Sequence, residues 1–174
     1  MGLRFGTDGI RGVANRDLTP ELVTTVGRAA VRVLGADRPF VVGRDTRRSG
    51  PMLEAAIVAG LCAEGADVLL AGVVPTPAVA TLAHARNAPA VMLTASHNPF
   101  PDNGVKLFAP GGHKLTDDVE HAIEAAMRNV GADDAPVGAG VGVASELRAA
   151  LDEYAEHVER ALEGRRLDGM RVVV

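Results

Sequence analysis

Residues 38–73 read RPFVVGRDTRRSGPMLEAAIVAGLCAEGADVLLAGV, and this stretch decides the fold class. Its two short apolar runs, RPFVVGRD and ADVLLAGV, have the continuous hydrophobicity of strands that are buried on both faces. A proline near the start of the intervening segment opens a predicted helix over 51–64. A strand, a helix and a second strand in succession are typical of parallel strands joined by a crossover helix.

The flanking sequence repeats this alternation on both sides. Upstream, Thr19 and Pro20 predict the N-terminus of a helix, and Gly35 ends it. Downstream, TPAVATLAHA predicts another helix and PAVMLTA another buried strand, while TDDVEHAIEAAMRNV predicts a helix capped by Thr116. The segment GVKLFAP alternates apolar and polar residues, which favours an antiparallel edge strand. We therefore predict a three-layer α/β domain with a mixed, mostly parallel sheet of about four strands between helices.

The last part of the chain has a different composition. Residues 131–144 are rich in glycine and alanine and are interpreted as a linker or loop. A helix is predicted from about 146 to 163, with one apolar face formed by Leu147, Leu151, Tyr154, Val158 and Leu162. The final GMRVVV has the character of a buried strand. We accordingly predict one domain over 1–164, followed by a linker and the first strand of a second domain over 165–174.

Composition limits the classes of function. The 174 residues are 47% hydrophobic, which is enough for a globular core, and they carry a net charge of −4 with 3% aromatic residues and no Trp. That balance argues against a nucleic-acid-binding surface. The N-terminus lacks the apolar stretch of a signal peptide, no run approaches the length of a membrane span, and Cys62 has no second cysteine to pair with. A cytoplasmic location without membrane contact is expected.

Residues 93–108, LTASHNPFPDNGVKLF, carry the main candidate site. Ser96 follows an apolar strand directly, His97 and Asn98 lie beside it, and Lys106 returns on the next strand. A serine among cationic groups at the end of a sheet can accept or donate a phosphoryl group, because that reaction depends on positioning and on neutralising oxygen charge. The alternative is an ordinary turn in which Ser96 and Asn98 satisfy backbone groups. A Ser-His hydrolase is disfavoured because the G-x-S-x-G elbow is missing.

Two other segments strengthen the catalytic interpretation. FGTDGIRG at 5–12 places glycines around Thr7, Asp8 and Arg11, and VGRDTRRSG at 42–50 adds Arg44 and neighbouring arginines at another strand end. Arginine suits phosphate because its planar fork is always charged. A solvated cluster of arginines is the alternative interpretation.

The motifs FGTDGIRG, GRDTRRSG, PTPAV, TASHNPFPDNGVKLF and GGHKL occur here in the order and approximate spacing of the α-D-phosphohexomutase superfamily. The chain resembles most closely the bacterial phosphoglucosamine mutase branch, over essentially residues 4–174. The resemblance implies that Ser96 carries a phosphoryl group, gives it to a sugar monophosphate and recovers the other one from a sugar bisphosphate. In this branch the reaction interconverts glucosamine 6-phosphate and glucosamine 1-phosphate for amino-sugar nucleotide and cell-wall synthesis.

The resemblance also implies roles for individual residues. Arg11 and His97 would contact the phosphoserine or the reacting groups, and Lys106 would transfer a proton. A substrate- or phosphate-binding role falls to Thr7, Asp8, Arg44 and Asn98. Family members use Mg²⁺, yet the aspartate-rich loop that binds it is absent from this sequence, so the phosphate on Ser96 is the only metal ligand expected here.

The missing aspartate-rich loop predicts that the chain is an N-terminal part of a longer enzyme, and that this part is inactive alone. Its expected partners are sugar phosphates, a sugar bisphosphate and the remaining domains of the full-length enzyme, and a homodimer is left open. The alternatives are a phosphoglucomutase or phosphomannomutase, or a non-catalytic domain that binds a sugar phosphate or a partner protein.

Overall fold

The computed structural model describes residues 6, 8–131 and 135–173 of the chain. Its centre is a seven-stranded sheet in the order β1-β5-β4-β2-β3-β7, with β6 paired to β5. The strands are β1 (Ile10–Val13), β2 (Phe40–Arg44), β3 (Val68–Val73), β4 (Ala90–Leu93), β5 (Asp102–Ala109), β6 (His113–Lys114) and β7 (Ala144–Glu146). The α-helices are α1 (Pro20–Leu34), α2 (Gly50–Ala63), α3 (Thr76–Arg86), α4 (Asp117–Met127) and α5 (Ala150–Arg160).

The predicted fold class is confirmed, whereas the predicted number of strands is too low. The strands β4, β2, β3 and β7 run parallel, and β5 is antiparallel to β4, β1 and β6. The strand predicted from GVKLFAP is antiparallel as expected but does not lie at an edge, because β1 pairs along its other side. Parallel pairing is therefore less dominant than the sequence indicated.

Helices cover both faces of the sheet and enclose two apolar clusters. One cluster lies under α1, α2 and α4 and includes the fully buried Val26, Ile57 and Ile123. The other lies under α3 and α5 and includes Val79 and Ala150. Burial of these side chains is the main force that holds the layers together.

The helix boundaries follow the local sequence at α1 but not at every helix. The hydroxyl of Thr19 accepts a hydrogen bond from the Leu22 N–H at 3.3 Å, and Gly35 ends α1 with a φ of 87°, where a glycine avoids the strain of a side chain. Thr116 precedes α4 as predicted, yet its side chain makes no capping hydrogen bond. Its contribution comes from its backbone, which is extended and whose carbonyl accepts the Glu120 N–H at 3.0 Å.

The segment predicted as a linker is part of the domain. After a short 3₁₀ helix, Gly138–Gly140, the Gly142 N–H donates to the Cys62 carbonyl at 2.9 Å. The Val143 N–H then donates to Asp67 Oδ1 at 2.8 Å, and β7 extends the sheet beside β3. These long-range hydrogen bonds give an irregular, glycine-rich sequence a defined course.

The final helix is shorter and less buried than predicted. Within α5, Ala150 is buried and Tyr154 packs against the cluster under α3, but Leu151 and Val158 are 55% and 49% exposed. Residues 165–173 follow in exposed irregular backbone, with no strand among those the structure describes. The division at residue 164 stays a prediction. Among the described residues, no helix has both the length and the apolar character that a membrane crossing needs.

Candidate functional site

The candidate site lies where β2 and β4 end side by side. These strands are parallel neighbours with Arg44 opposite Leu93, so the residues that follow them meet at one edge of the sheet. The Asp45 N–H donates to the Leu93 carbonyl at 3.0 Å and continues this pairing beyond the strands. The carboxyl ends of parallel strands are the usual position of ligand sites in α/β domains.

Ser96 has an unusual backbone conformation. Its φ is 55°, in the left-handed region, where a residue other than glycine costs about 1–2 kcal/mol. The residue is exposed, and its Oγ lies 3.5 Å from Nδ1 of His97. A strained, exposed serine beside an imidazole is the arrangement expected of a reacting group that the surrounding structure holds in place.

Thr94 and Asp45 hold the backbone of this serine. The Ser96 N–H donates to Thr94 Oγ1 at 2.9 Å, and the same hydroxyl donates to Asp45 Oδ2 at 2.7 Å. Thr94 is only 7% exposed, so its hydroxyl is oriented by these two bonds away from bulk water. The loop after β4 is thereby tied to the loop after β2.

Arg47 makes a second connection between the two loops. Its guanidinium donates to the carbonyl oxygens of Pro99 and Asp102 at 2.8 and 3.0 Å, and to those of Ser96 and Asn98 at 2.9 Å each. Its Nε donates to Asp45 Oδ2 at 3.1 Å. From the sequence, Arg47 was predicted only as one of a cluster of cations. Its role could not be read from the sequence, because the carbonyls that it contacts lie about fifty positions further along the chain.

Asn98 and Asn103 fix the remainder of the loop. Asn98 donates through Nδ2 to Asp102 Oδ2 at 2.9 Å, so the side chain predicted to bind phosphate closes the loop internally here. The fully buried Asn103 donates to Ser49 Oγ and accepts from the Gly104 N–H, at 2.9 and 2.8 Å. Sequence reasoning missed Asn103 and Thr94, which the DNG and LTAS motifs contain.

Arg11 lies on β1, which is separated from β4 by β5. Arg11 is opposite Gly104 of β5. The Gly104 carbonyl in turn accepts a hydrogen bond from the Thr94 N–H. Arg11 Nη1 lies 3.8 Å from Asp8 Oδ2, while its buried Nε has no hydrogen-bond partner among the described residues. Of the other predicted residues in this segment, Thr7 lies outside the part of the chain that the structure describes.

The structure does not bring the ammonium of Lys106 to Ser96. Lys106 is opposite Met92 on β4, and its Nζ lies 5.5 Å from the centre of the Phe108 ring. Phe108 is opposite Ala90, at the end of β4 that lies away from Ser96. The predicted proton transfer by Lys106 therefore requires another side-chain conformation.

Arg44 is engaged by a carboxylate instead of facing the loop. Its Nε lies 3.3 Å from Glu54 Oε2 of α2, in an ion pair without hydrogen-bond geometry. Both side chains are about one-fifth exposed, so the pair is only partly screened by water. A phosphate-binding role for Arg44 stays a prediction.

An open cavity of about 420 Å³ lies over Ser96. Asp45, Thr46 and Arg47 line one side, and Asn98 and Phe100 line the other. Arg48 also lines it; the residue is exposed, and its guanidinium has no ion-pair or hydrogen-bond partner within the described ranges. This uncompensated cation suits the cavity to an anionic ligand.

The described residues do not form a magnesium site by themselves. No group of three or more His, Cys, Asp and Glu side chains suited to a metal is found in the described part of the chain. Asp45, a carboxylate that lines the cavity, already accepts hydrogen bonds from Thr94 and Arg47. Mg²⁺ prefers six oxygen ligands in octahedral geometry, which this donor set does not supply.

Comparison with known proteins agrees with the geometry. Residues 2–133 match the family model of phosphoglucomutase/phosphomannomutase, alpha/beta/alpha domain I. The whole chain is 53% identical to a phosphoglucosamine mutase of Mycolicibacterium paratuberculosis and 56% identical to one of Salinispora arenicola, and it covers 40% of each. The chain thus spans well under half the length of the curated relatives it matches.

Solved structures agree with these sequence relationships. A phosphoglucomutase/phosphomannomutase family protein from Burkholderia thailandensis superposes with a TM-score of 0.72 at 28% identity, over 92% of this chain and 35% of the other. The similarity extends beyond residue 133 and includes most of the described fold. The mixed sheet and its helices are therefore an architecture found in that family protein.

Proposed function

The chain belongs to the phosphoglucomutase/phosphomannomutase family, and we propose that it is the phosphoryl-donor domain of a phosphoglucosamine mutase. The observation that carries this proposal is the exposed Ser96, held in a left-handed conformation at the floor of a cavity that Arg48 lines. The sugar preference follows from the relatives named above, each over 50% identical.

The proposed cycle consists of two phosphoryl transfers. In the first, the bond between phosphorus and Ser96 Oγ breaks as a sugar hydroxyl oxygen bonds to the same phosphorus, and the hydroxyl proton passes to Oγ. In the second, Ser96 Oγ attacks the other phosphoryl group of the reoriented sugar bisphosphate, and the serine proton passes to the sugar oxygen that leaves. The two transfers together conserve atoms and charge, and Ser96 is phosphorylated at the end as it was at the start.

Catalysis of such transfers rests on holding the groups in line and on stabilising oxygen charge. His97 is the titratable side chain next to Ser96 Oγ, and we assign it to contact the phosphoserine. Arg11 and Arg48 supply cationic groups around the site, and Lys106 is the proton-transfer candidate once its ammonium leaves Phe108.

The proposal assigns the rest of the activity to parts of the protein outside this chain. Since the chain covers 40% of its relatives, sugar recognition, the Mg²⁺ ligands and full turnover are expected from the remainder. Sugar phosphates and a sugar bisphosphate are the proposed ligands, and the cytoplasm is the proposed location.

The test is mutase turnover by the complete protein carrying Ser96→Ala, with Ser145→Ala as the matched control. Ser145 is an exposed serine on β7, at the edge of the sheet remote from β4. We expect turnover to be abolished by the first substitution and unchanged by the second. Substantial turnover by Ser96→Ala would refute the phosphoserine mechanism.

Sugar choice is tested separately, by comparing turnover on the phosphates of glucosamine, glucose and mannose. The proposal expects glucosamine phosphate to be preferred. A preference for glucose or mannose phosphate would keep the phosphoryl-transfer mechanism and reassign the substrate. Binding of these ligands without turnover by the complete wild-type protein would instead favour a non-catalytic binding domain.

A further inference from the structure

We propose that Arg47 is a positioning residue that sets the conformation of the Ser96 loop, residues 94–101 between β4 and β5, and does not itself bind the substrate phosphate. The inference rests on the proposed function of Ser96. The Arg47 side chain donates four hydrogen bonds to backbone carbonyls of this part of the chain, and none of them goes to the Ser96 side chain.

The argument begins with the number of donors. A guanidinium carries five N–H groups, one on Nε and two on each terminal nitrogen. In Arg47, Nε donates to Asp45, Nη1 to the carbonyls of Pro99 and Asp102, and Nη2 to those of Ser96 and Asn98. Every N–H therefore has an acceptor, and a phosphate could bind Arg47 only by displacing one of them.

Arg47 is itself held in place by its surroundings. Its backbone N–H donates to Asp45 Oδ1 at 3.0 Å, its carbonyl accepts from the Gly50 N–H at 2.8 Å, and its side chain is only 12% exposed. The Asp45 carboxylate balances the charge of the guanidinium. The planar fork is thus fixed before any ligand arrives, which lowers the entropy cost of each bond it makes.

The contacts of Arg47 explain how Ser96 keeps a φ of 55°. The Ser96 carbonyl is held by Nη2 of Arg47, and the Ser96 N–H is held by Thr94. The N–H and the carbonyl of Ser96 are therefore both held by side chains, those of Thr94 and Arg47, on either side of the strained residue. Loss of the guanidinium would release the carbonyl side and let the loop relax.

Lysine is the informative replacement, because it keeps the positive charge but has a single nitrogen with three donors. It cannot reach four carbonyl oxygens and Asp45 together. We expect Arg47→Lys to lower the rate of phosphoryl transfer to Ser96 about 100-fold, since misplacement of a reacting group by about 1 Å has that effect. The affinity for the sugar monophosphate should change little, because the cavity's free cation is Arg48.

The experiment uses the complete protein, with a glucosamine 1,6-bisphosphate probe as phosphoryl donor. Transfer to Ser96 is followed by mass spectrometry of the peptide, and binding of glucosamine 6-phosphate by calorimetry. Arg148→Lys is the matched control, because Arg148 is 89% exposed and, within the described ranges, its side chain is bonded only to Glu146, two positions away. Asp45→Asn is a second variant: it keeps the five donors of Arg47, removes the balancing charge, and should slow transfer by a smaller factor.

The inference is supported if Arg47→Lys transfers slowly, binds the sugar phosphate normally and loses amide-exchange protection at residues 96–102 only. It is overturned if Arg47→Lys accepts the phosphoryl group at the wild-type rate, because positive charge alone would then be sufficient. It is also overturned if the transfer rate and the sugar-phosphate affinity fall in proportion, because Arg47 would then be a ligand of the substrate. Should Arg47→Lys fail to fold, wild-type transfer by Asp45→Asn would overturn it. Failure of the proposed function is recognised separately, because the wild-type protein would then acquire no phosphate on Ser96.

Discussion

The hydroxyl of Thr94 donates a hydrogen bond to Asp45 Oδ2 at 2.7 Å, and this contact joins the loops that follow β4 and β2. The same hydroxyl accepts the Ser96 N–H, so one buried side chain orients both an acid and the strained serine. The position of Ser96 therefore depends on a buried side chain as well as on the exposed residues of its own loop.

Replacing Thr94 by Val tests that dependence. Valine has the same shape but no hydroxyl, so the Ser96 N–H loses its acceptor and Asp45 loses a donor. We expect a loss of about 1–3 kcal/mol in the free energy of unfolding. A fall in turnover with little change in KM should accompany it. Thr25→Val, which removes an exposed hydroxyl bonded to the Glu21 carbonyl, is the control and should change both quantities little. Equal effects of the two substitutions would contradict this role of Thr94.

Gly104→Ala tests the close contact between β1, β5 and β4. A Cβ at this position would lie 2.6 Å from the Thr94 carbonyl oxygen and 2.8 Å from Arg11 Cγ. Because the contacting backbone cannot move freely, we expect destabilisation of about 1–3 kcal/mol in a urea titration. Displacement of Arg11 should also reduce turnover.

The control for Gly104 is Gly131→Ala, where no atom of the described residues lies within 4 Å of an added Cβ. It should leave the unfolding free energy unchanged or raise it slightly. If Gly104→Ala were as stable and active as this control, the sheet would have to accommodate a side chain where the structure leaves no room.

Arg48→Gln tests the free cation of the cavity. Since this guanidinium has no partner in the described structure, its loss should not destabilise the fold. We expect KM for the sugar phosphate to rise about tenfold, the value of one charge-assisted hydrogen bond. Arg38→Gln, at an exposed position just before β2, is the control. An unchanged KM in Arg48→Gln would remove this residue from the binding site.

Glu64 gives a prediction about pH. Burial alone raises the pKa of Glu64, but hydrogen bonds from Arg32 and Arg28 outweigh it, so the pKa is lowered from 4.5. The carboxylate joins the end of α2 to α1, with bonds of 2.7–3.0 Å. Its stabilisation is fully present above the unfolded-state pKa and is lost as the pH falls through the lower folded-state value.

Urea titrations at neutral and acidic pH measure this contribution. At neutral pH, Glu64→Gln should be about 1.5–3 kcal/mol less stable than the wild type. The difference should shrink as the pH falls below about 4.5, because the wild-type carboxylate becomes protonated. Glu159→Gln, at an exposed position of α5, is the control. A gap that widens on acidification would contradict the sign of the shift.

Strong local patterns made most of the fold predictable. The buried runs of β2, β3 and β4 and the cap of α1 at Thr19 follow from the sequence alone. The strands β1 and β7 were missed, because IRGV and ASE contain glycine or charged residues and become strands only through partners distant in the chain. Tertiary pairing overrides weak propensity at such positions.

The site was predictable in position but not in its supporting contacts. Ser96 was placed correctly at the end of β4, since an apolar strand precedes it. Its positive φ was not predictable, because serine carries no signal for the left-handed region. The conformation depends on Arg47, whose bonds reach across 49–55 positions and follow from the parallel arrangement of β2 and β4.

The most direct test locates the phosphoryl group. The complete protein is incubated with glucosamine 1,6-bisphosphate labelled in its phosphoryl groups, digested and mapped by mass spectrometry. We predict that the label is on Ser96, is absent from Ser96→Ala and is removed by adding glucosamine 6-phosphate. Label on another residue, or label on Ser96 that the sugar phosphate does not remove, would contradict the assignment of Ser96 as the phosphoryl donor.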